Sequence, residues 1–155
     1  MPEGTPAQAS APRLALGLDF GARRIGVAAG HTLTGSAQPL GVVGADNGRP
    51  DWPALERFVR DWQPTVLVVG IPYNMDGTDG PLTERVREFC RELQARFQLE
   101  VHAVDERLSS REAEDRLRAS RASGERKRRV RHEDVDPVAA CVLLEQWLRE
   151  GANHR

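Results

Sequence analysis

The chain has 155 residues, a formal net charge of −1 and 39% hydrophobic residues, which fits one domain with a core large enough to fold without disulfide or metal staples. No apolar run approaches the roughly 20 residues of a membrane span. Cys90 and Cys141 form neither a CxxC motif nor a secreted disulfide framework, so buried, reduced thiols in a cytoplasmic protein are expected.

Residues 1–13 are rich in Pro, Ala, Ser and Gly and lack both a basic start and an apolar stretch. They read as a disordered tail rather than a secretory leader, with 14–150 as the folded domain. Residues 14–19 and 25–30 read as strands joined by a turn at Gly21, and 36–43 as a third; the short connections suggest an antiparallel meander. The composition of 44–50 is that of a loop. A helix over 51–63 places Trp52, Leu55, Val59 and Trp62 at helical spacing and ends at Pro64.

Residues 66–70 are continuously apolar, as in a strand buried on both faces. A polar loop, 71–80, follows. Pro81 stands where a first helical residue is expected, and Val86, Phe89, Cys90, Leu93 and Phe97 line one face of the helix after it. A last strand, 100–104, ends in Asp105-Glu106-Arg107, and Ser109 with Glu112 fits a capping box that opens another helix. Between 116 and 131 lie eight basic residues and one acid, a local charge of +7 on a chain that is otherwise −8. Arginine, which supplies all the basic residues but Lys127, is the better phosphate clamp, although a solvated loop would look the same. Asp136-Pro137 starts a final helix whose apolar positions are Val138, Cys141, Val142, Leu144, Trp147 and Leu148. The order predicts an α/β domain: a five-stranded mixed sheet, three antiparallel strands then two parallel, flanked by helices.

Strand carboxyl ends gather on one side of such a sheet, and sites form there. Asp19, Asp105-Glu106 and Asp134 or Asp136 are therefore expected to meet. Several carboxylates at one place do not stay ionised without cations, and hard oxygen donors suit Mg²⁺ or Mn²⁺ rather than zinc. Two such ions would serve phosphodiester hydrolysis without a general-base histidine. Each acid also has a plainer role: a turn for Asp19, an N-cap for Asp136, a solvated pair for Asp105 with Arg107.

Four spaced motifs, Asp19-Phe-Gly-Ala-Arg-Arg-Ile-Gly-Val-Ala28, Gly70-Ile-Pro-Tyr-Asn-Met-Asp-Gly77, Asp105-Glu-Arg-Leu-Ser109 and Asp136-Pro-Val-Ala-Ala140, resemble the YqgF/RuvX family in sequence and order. The resemblance spans about 14–148. It implies an RNase H-like fold and a divalent-metal nuclease that trims the 5′ end of precursor 16S ribosomal RNA; some members are described as cutting branched DNA such as Holliday junctions. Carried over residue by residue, Asp19 resembles the first-strand metal ligand, Asp105 or Glu106 the second and Asp136 the helix ligand. Glu106 is preferred because resolvase-type sites pair aspartates with one glutamate. In related resolvases that glutamate comes from the middle strand, here 66–70, which offers no acid. Asp134 is a spare carboxylate beside Asp136.

Arg23, Arg24, Asn74, Arg107, Arg126, Lys127, Arg128, Arg129 and Arg131 are the expected nucleic-acid contacts, with Thr83 shaping the groove. Two other classes compete. An ATPase of the actin and sugar-kinase type uses a similar Asp-x-Gly turn, but it needs a second domain and a second phosphate turn. A nucleic-acid-binding module with little cleavage would keep the same acids as metal-dependent binders.

Overall fold

The computed structural model describes residues 13–106 and 136–153. In chain order the elements are β1 (Leu14–Phe20), β2 (Arg24–His31), β3 (Ala37–Asp46), β4 (Arg49–Pro50), α1 (Trp52–Trp62), β5 (Val66–Ile71), α2 (Thr83–Phe97), β6 (Glu100–Asp105) and α3 (Asp136–Asn153). They form one mixed sheet in the order β4-β3-β2-β1-β5-β6. β1, β2 and β3 are the expected antiparallel meander. β5 runs parallel to β1, and β6 parallel to β5, so the carboxyl ends of β1, β5 and β6 lie along one side of the sheet.

The sheet has six strands rather than the five expected. The loop predicted over 44–50 is instead the end of β3, a two-residue turn and β4. Asp46 pairs with Arg49, and Asn47 and Gly48 between them have φ of 55° and 81°, as a type I′ turn requires. Pro50 ends the strand pairing, where its missing N–H costs nothing. A second difference concerns Pro81. α2 begins at Thr83, because the buried Thr83 hydroxyl donates to Pro72 O (2.6 Å) and accepts from Gly80 N (2.7 Å), holding the segment before the helix as a turn.

Period-two alternation divides the core between the two faces. Leu16, Leu18, Phe20, Ile25, Val27, Val43, Leu67, Val69 and Ile71 pack with Leu55 of α1 and with Val86, Phe89 and Leu93 of α2. Ala15, Ala28, Val66, Val68 and Val104 pack on the other face with Ala140, Cys141, Leu143, Leu144 and Leu148 of α3. Helices thus cover both faces, which is why β1 and β5 read as nearly continuous apolar runs. Cys90 and Cys141 form no disulfide, Cys141 being buried as expected and Cys90 half-buried; burial pushes the Cys90 thiol up.

α3 crosses β1 very closely. A β-carbon on Gly17 would lie 2.9 Å from Leu144 Cβ and 3.0 Å from the Ala140 carbonyl oxygen. Further along, Leu144 and Leu148 approach Gly30, which pairs with Ala15 toward the start of β1. The helix therefore runs from the carboxyl side of the sheet back to the amino side, with its first residue, Asp136, on the carboxyl side. Arg13 belongs to the folded body: its N–H donates to Thr32 Oγ1 (2.8 Å) and its guanidinium pairs with Glu100. Residues 1–12, the helix expected from Ser109 and the basic run at 116–131 lie outside the described residues.

Candidate active site at the carboxyl side of the sheet

Asp19 is the penultimate residue of β1 and half-buried. It pairs with Gly26 of β2. On its other side the register of Leu18 with Val69 sets it beside Gly70 of β5. Gly17, two residues earlier, faces α3, so alternation puts Asp19 on the α3 face as well. Phe20, its neighbour, turns to the opposite core and packs on Phe89 with ring centroids 4.9 Å apart. That contact anchors the end of β1 and aims Asp19 outward.

Gly70 pairs with Val104, and Ile71 with Asp105. Val104 packs with α3, whereas Ile71 packs with the α1 and α2 core. Alternation therefore gives Asp105 to the α1 and α2 face and returns Glu106 to the α3 face. Glu106 indeed lies over Gly70. A β-carbon on Gly70 would be 3.4 Å from Glu106 Cγ, 3.5 Å from Glu106 Oε2 and 3.1 Å from Leu143 Cδ2. The missing side chain at Gly70 is the seat of the Glu106 side chain. Asp19 on β1 and Glu106 beyond β6 thus flank β5, on the same face and at the same end.

Asp136, the third expected carboxylate, is the first residue of α3. Asp136 is four residues before Ala140, about 6 Å along the helix axis. Asp19 is two residues past Gly17, about 7 Å along β1. Both steps lead from the same crossing point toward the same side. Among the described residues, no three His, Cys, Asp or Glu side chains form a metal-holding group; Asp134, Arg107, Arg126, Lys127, Arg128, Arg129 and Arg131 lie outside the described residues. The described donors, Asp19 and Glu106, are hard carboxylate oxygens in half-buried positions, a set that fits Mg²⁺ or Mn²⁺ and not a thiolate-seeking metal.

Two loops border the carboxylates. The β1–β2 turn, closed by Gly21 N donating to Arg24 O (2.9 Å), carries Arg23 and Arg24. After β5, the segment to Gly80 is a small hairpin closed by a Tyr73 and Asp79 bridge. Asn74 sits inside it. Its side-chain nitrogen donates to Thr78 Oγ1 (3.0 Å) and to Asp79 O (3.1 Å), so its amide braces the loop. Arg87 of α2 holds the base of this loop through two bonds to the Asp79 carboxylate (2.8 and 3.0 Å) and lies over the Tyr73 ring at 5.9 Å. That partner keeps the Asp79 carboxyl below its ordinary range. Thr83 is fully buried beneath the loop and acts on it from within. Sequence reasoning missed the role of Gly70, whose lone clue was its position inside an apolar strand, where glycine marks close approach.

The comparisons with known proteins bear on family and fold. A candidate pre-16S rRNA nuclease of Azotobacter vinelandii is 49% identical over 142 residues, 91% of this chain and 96% of that one. Proteins of the same name from Pseudomonas paraeruginosa and Coxiella burnetii are each 46% identical, over 91% and 90% of this chain and 95% of their own lengths. The RuvC of Thermus thermophilus, solved with a Holliday junction substrate, superposes with a TM-score of 0.54 at 14% identity, covering 90% of this chain and 96% of that one. The fowlpox virus resolvase, solved with Holliday junction DNA, gives 0.52 at 10% identity, covering 88% and 97%. At such identities these two likenesses establish the RNase H-like fold. The family described as RuvX, Holliday junction resolvase, matches residues 13–150, and with relatives this similar over nearly their whole length, the chain belongs to the RuvX family.

Proposed function

We propose that this chain is a divalent-metal-dependent endonuclease that hydrolyses phosphodiester bonds in structured RNA, with 5′-end processing of precursor 16S rRNA as its reaction. The observation that carries the proposal is the placement of Asp19 and Glu106 on either side of Gly70, on one face and at one end of the sheet. The family and the names of the relatives support it. No described helix is long and apolar enough to cross a membrane, and an rRNA substrate puts the reaction in the cytoplasm.

In this reading Asp19, Glu106 and Asp136 would hold Mg²⁺ or Mn²⁺, which would supply water activation and charge stabilisation at the leaving oxygen. The chain's own residues do the rest. Phe20 fixes the end of β1, Gly70 leaves room for Glu106, and Gly17 lets α3 approach closely enough to deliver Asp136. Arg23 and Arg24, with Arg107, Arg126, Lys127, Arg128, Arg129 and Arg131, hold phosphates and carry little base information. Branched DNA is the second reading, favoured by the family's description and by a fold shared with two resolvases.

The test incubates the protein with a labelled precursor 16S 5′-leader RNA and with a four-way DNA junction, in Mg²⁺, Mn²⁺ or chelator. Metal-dependent cuts in the RNA are expected, absent in Asp19→Asn while binding persists. Cuts confined to the junction select the second reading. Binding of either nucleic acid with no metal-dependent product overturns both and leaves a binding module.

A further inference from the structure

We propose that Arg49 is a phosphate-binding residue, and that the Asn47-Gly48 turn extends the nucleic-acid track sideways from the carboxylates, away from Glu106. The proposal deepens the nuclease reading and rests on it.

The two turns on that side of the sheet are bonded into one platform. Ala45 N donates to Arg23 O (2.8 Å), and Gly48 N donates to Ala22 O (2.9 Å). The β1–β2 turn beside Asp19 is thus continuous with the tip of the β3–β4 hairpin. Alternation gives the direction. Ile25, Val27 and Val43 face the α1 and α2 core, so Arg24 faces the opposite way, as Asp19 does. Pro50 is buried and Arg49 exposed. Arg49 pairs with Asp46 while Pro50 pairs with Ala45, which is two residues after Val43. Arg49 therefore also lies on the face of Asp19. Between them, Gly44 pairs with Arg24, and a β-carbon added there would meet nothing within 4 Å. Among the described residues, this part of the face is open.

Charge separates Arg49 from the arginines that build structure. Arg13, Arg85, Arg87, Arg91 and Arg96 are each paired with a carboxylate. Arg23 and Arg49 are exposed and make no ion pair with any described residue, the neighbouring Asp46 included.

The platform is also held still. Arg85 of α2 donates to Gly48 O through Nε (3.0 Å) and Nη2 (2.8 Å), is itself fixed by Glu92, and lies over the Phe20 ring at 5.4 Å. Phe20 adjoins Asp19, so one side chain references both turns to the carboxylates. A cation presented on a braced turn loses little freedom on binding. Three strand spacings separate β1 from β4, about 14 Å, which is about four stacked nucleotides. The ligand class is a phosphodiester backbone, contacted without regard to sequence.

The test measures the salt dependence of affinity for the same labelled leader RNA, in chelator so that it stays intact. Each phosphate contact adds about 0.7–0.9 to the slope of log affinity against log salt. Arg49→Gln should lower the slope by that amount, so its deficit relative to wild type shrinks about threefold between roughly 50 and 200 mM salt. Arg49→Lys should keep the wild-type slope. Arg60→Gln removes the same charge from the last turn of α1, at the other end of the sheet, and should change nothing. An unchanged slope in Arg49→Gln overturns the proposal, as does an equal drop in Arg60→Gln. A wild-type affinity that does not respond to salt removes the nuclease track altogether, a failure distinct from either.

Discussion

The sharpest perturbation of this architecture is a single methyl group on Gly17. Built there, it lies 2.9 Å from Leu144 Cβ and 3.0 Å from the Ala140 carbonyl oxygen. Carbon atoms pack at about 3.5–4.0 Å, so α3 must withdraw from β1 by roughly 0.6 Å or more. Neither opposing atom is the far end of a flexible side chain, so the helix has to move as a body. Overpacking of this kind costs about 1–3 kcal/mol, offset in part by the stiffer unfolded chain that Gly→Ala produces. The net loss of about 1–2 kcal/mol corresponds to a fall in Tm of about 3–6 °C for a chain of this size. The displacement also reaches the site, because α3 starts at Asp136. A shift approaching 1 Å in a reacting geometry costs up to about 10²-fold; Gly17→Ala should therefore lower kcat about 10- to 100-fold with KM little changed. Thermal melting and single-turnover cleavage of the leader RNA in Mg²⁺ measure the two effects. A variant that melts with the wild type and cuts at its rate would refute the claim that this crossing positions the third carboxylate.

The two adjacent acids at the end of β6 separate by assay: Glu106→Gln should lose at least about 10²-fold in cleavage, the scale of one electrostatic partner lost in a transition state, whereas Asp105→Asn should retain most activity; equal losses would contradict the alternation argument. Thr83→Val leaves Gly80 N–H and Pro72 O without their shared partner and should cost roughly 2–4 kcal/mol in urea unfolding, with Thr83→Ser nearly neutral. Glu100 is held below its ordinary range, first by the His102 hydrogen bond and then by Arg13. A carboxyl lowered in the folded state stabilises above its unfolded pKa, and the contribution fades as pH falls through the lowered value; a stability–pH profile of Glu100→Gln should therefore be flatter below about pH 4.5, and an unchanged acid limb would discount the cluster.

Apolar patterning made most of the fold legible, because β1, β2, β5 and α2 bury residues at periods that sequence records directly. β4 escaped because it is two residues long, and composition outweighed the Asn47-Gly48 pair, which is itself a strong hairpin sign. Pro81 misplaced the start of α2 because the decisive contact, the Thr83 hydroxyl on Pro72 O and Gly80 N, lies between side chain and backbone and leaves no periodicity. At the site, the motifs named the acids and the preference for Glu106, while its place on the face of Asp19 needed the β5–β6 register. The seat of Glu106 is a contact between positions 36 residues apart, and glycine records only that something is missing. Asn74 is an expected nucleic-acid contact, and the donation of its amide nitrogen within its own loop left no sign in the sequence.

Gly70 also constrains how such a site can change over generations. A β-carbon at position 70 would touch the Glu106 side chain at 3.4 Å and press on Leu143 Cδ2 at 3.1 Å, so a longer side chain at 70 and Glu106 would compete for the volume above β5. A larger side chain gained at 70 would crowd Glu106, and a smaller one at 106 would leave room there. The size of the residue at position 70 should therefore covary with that at position 106.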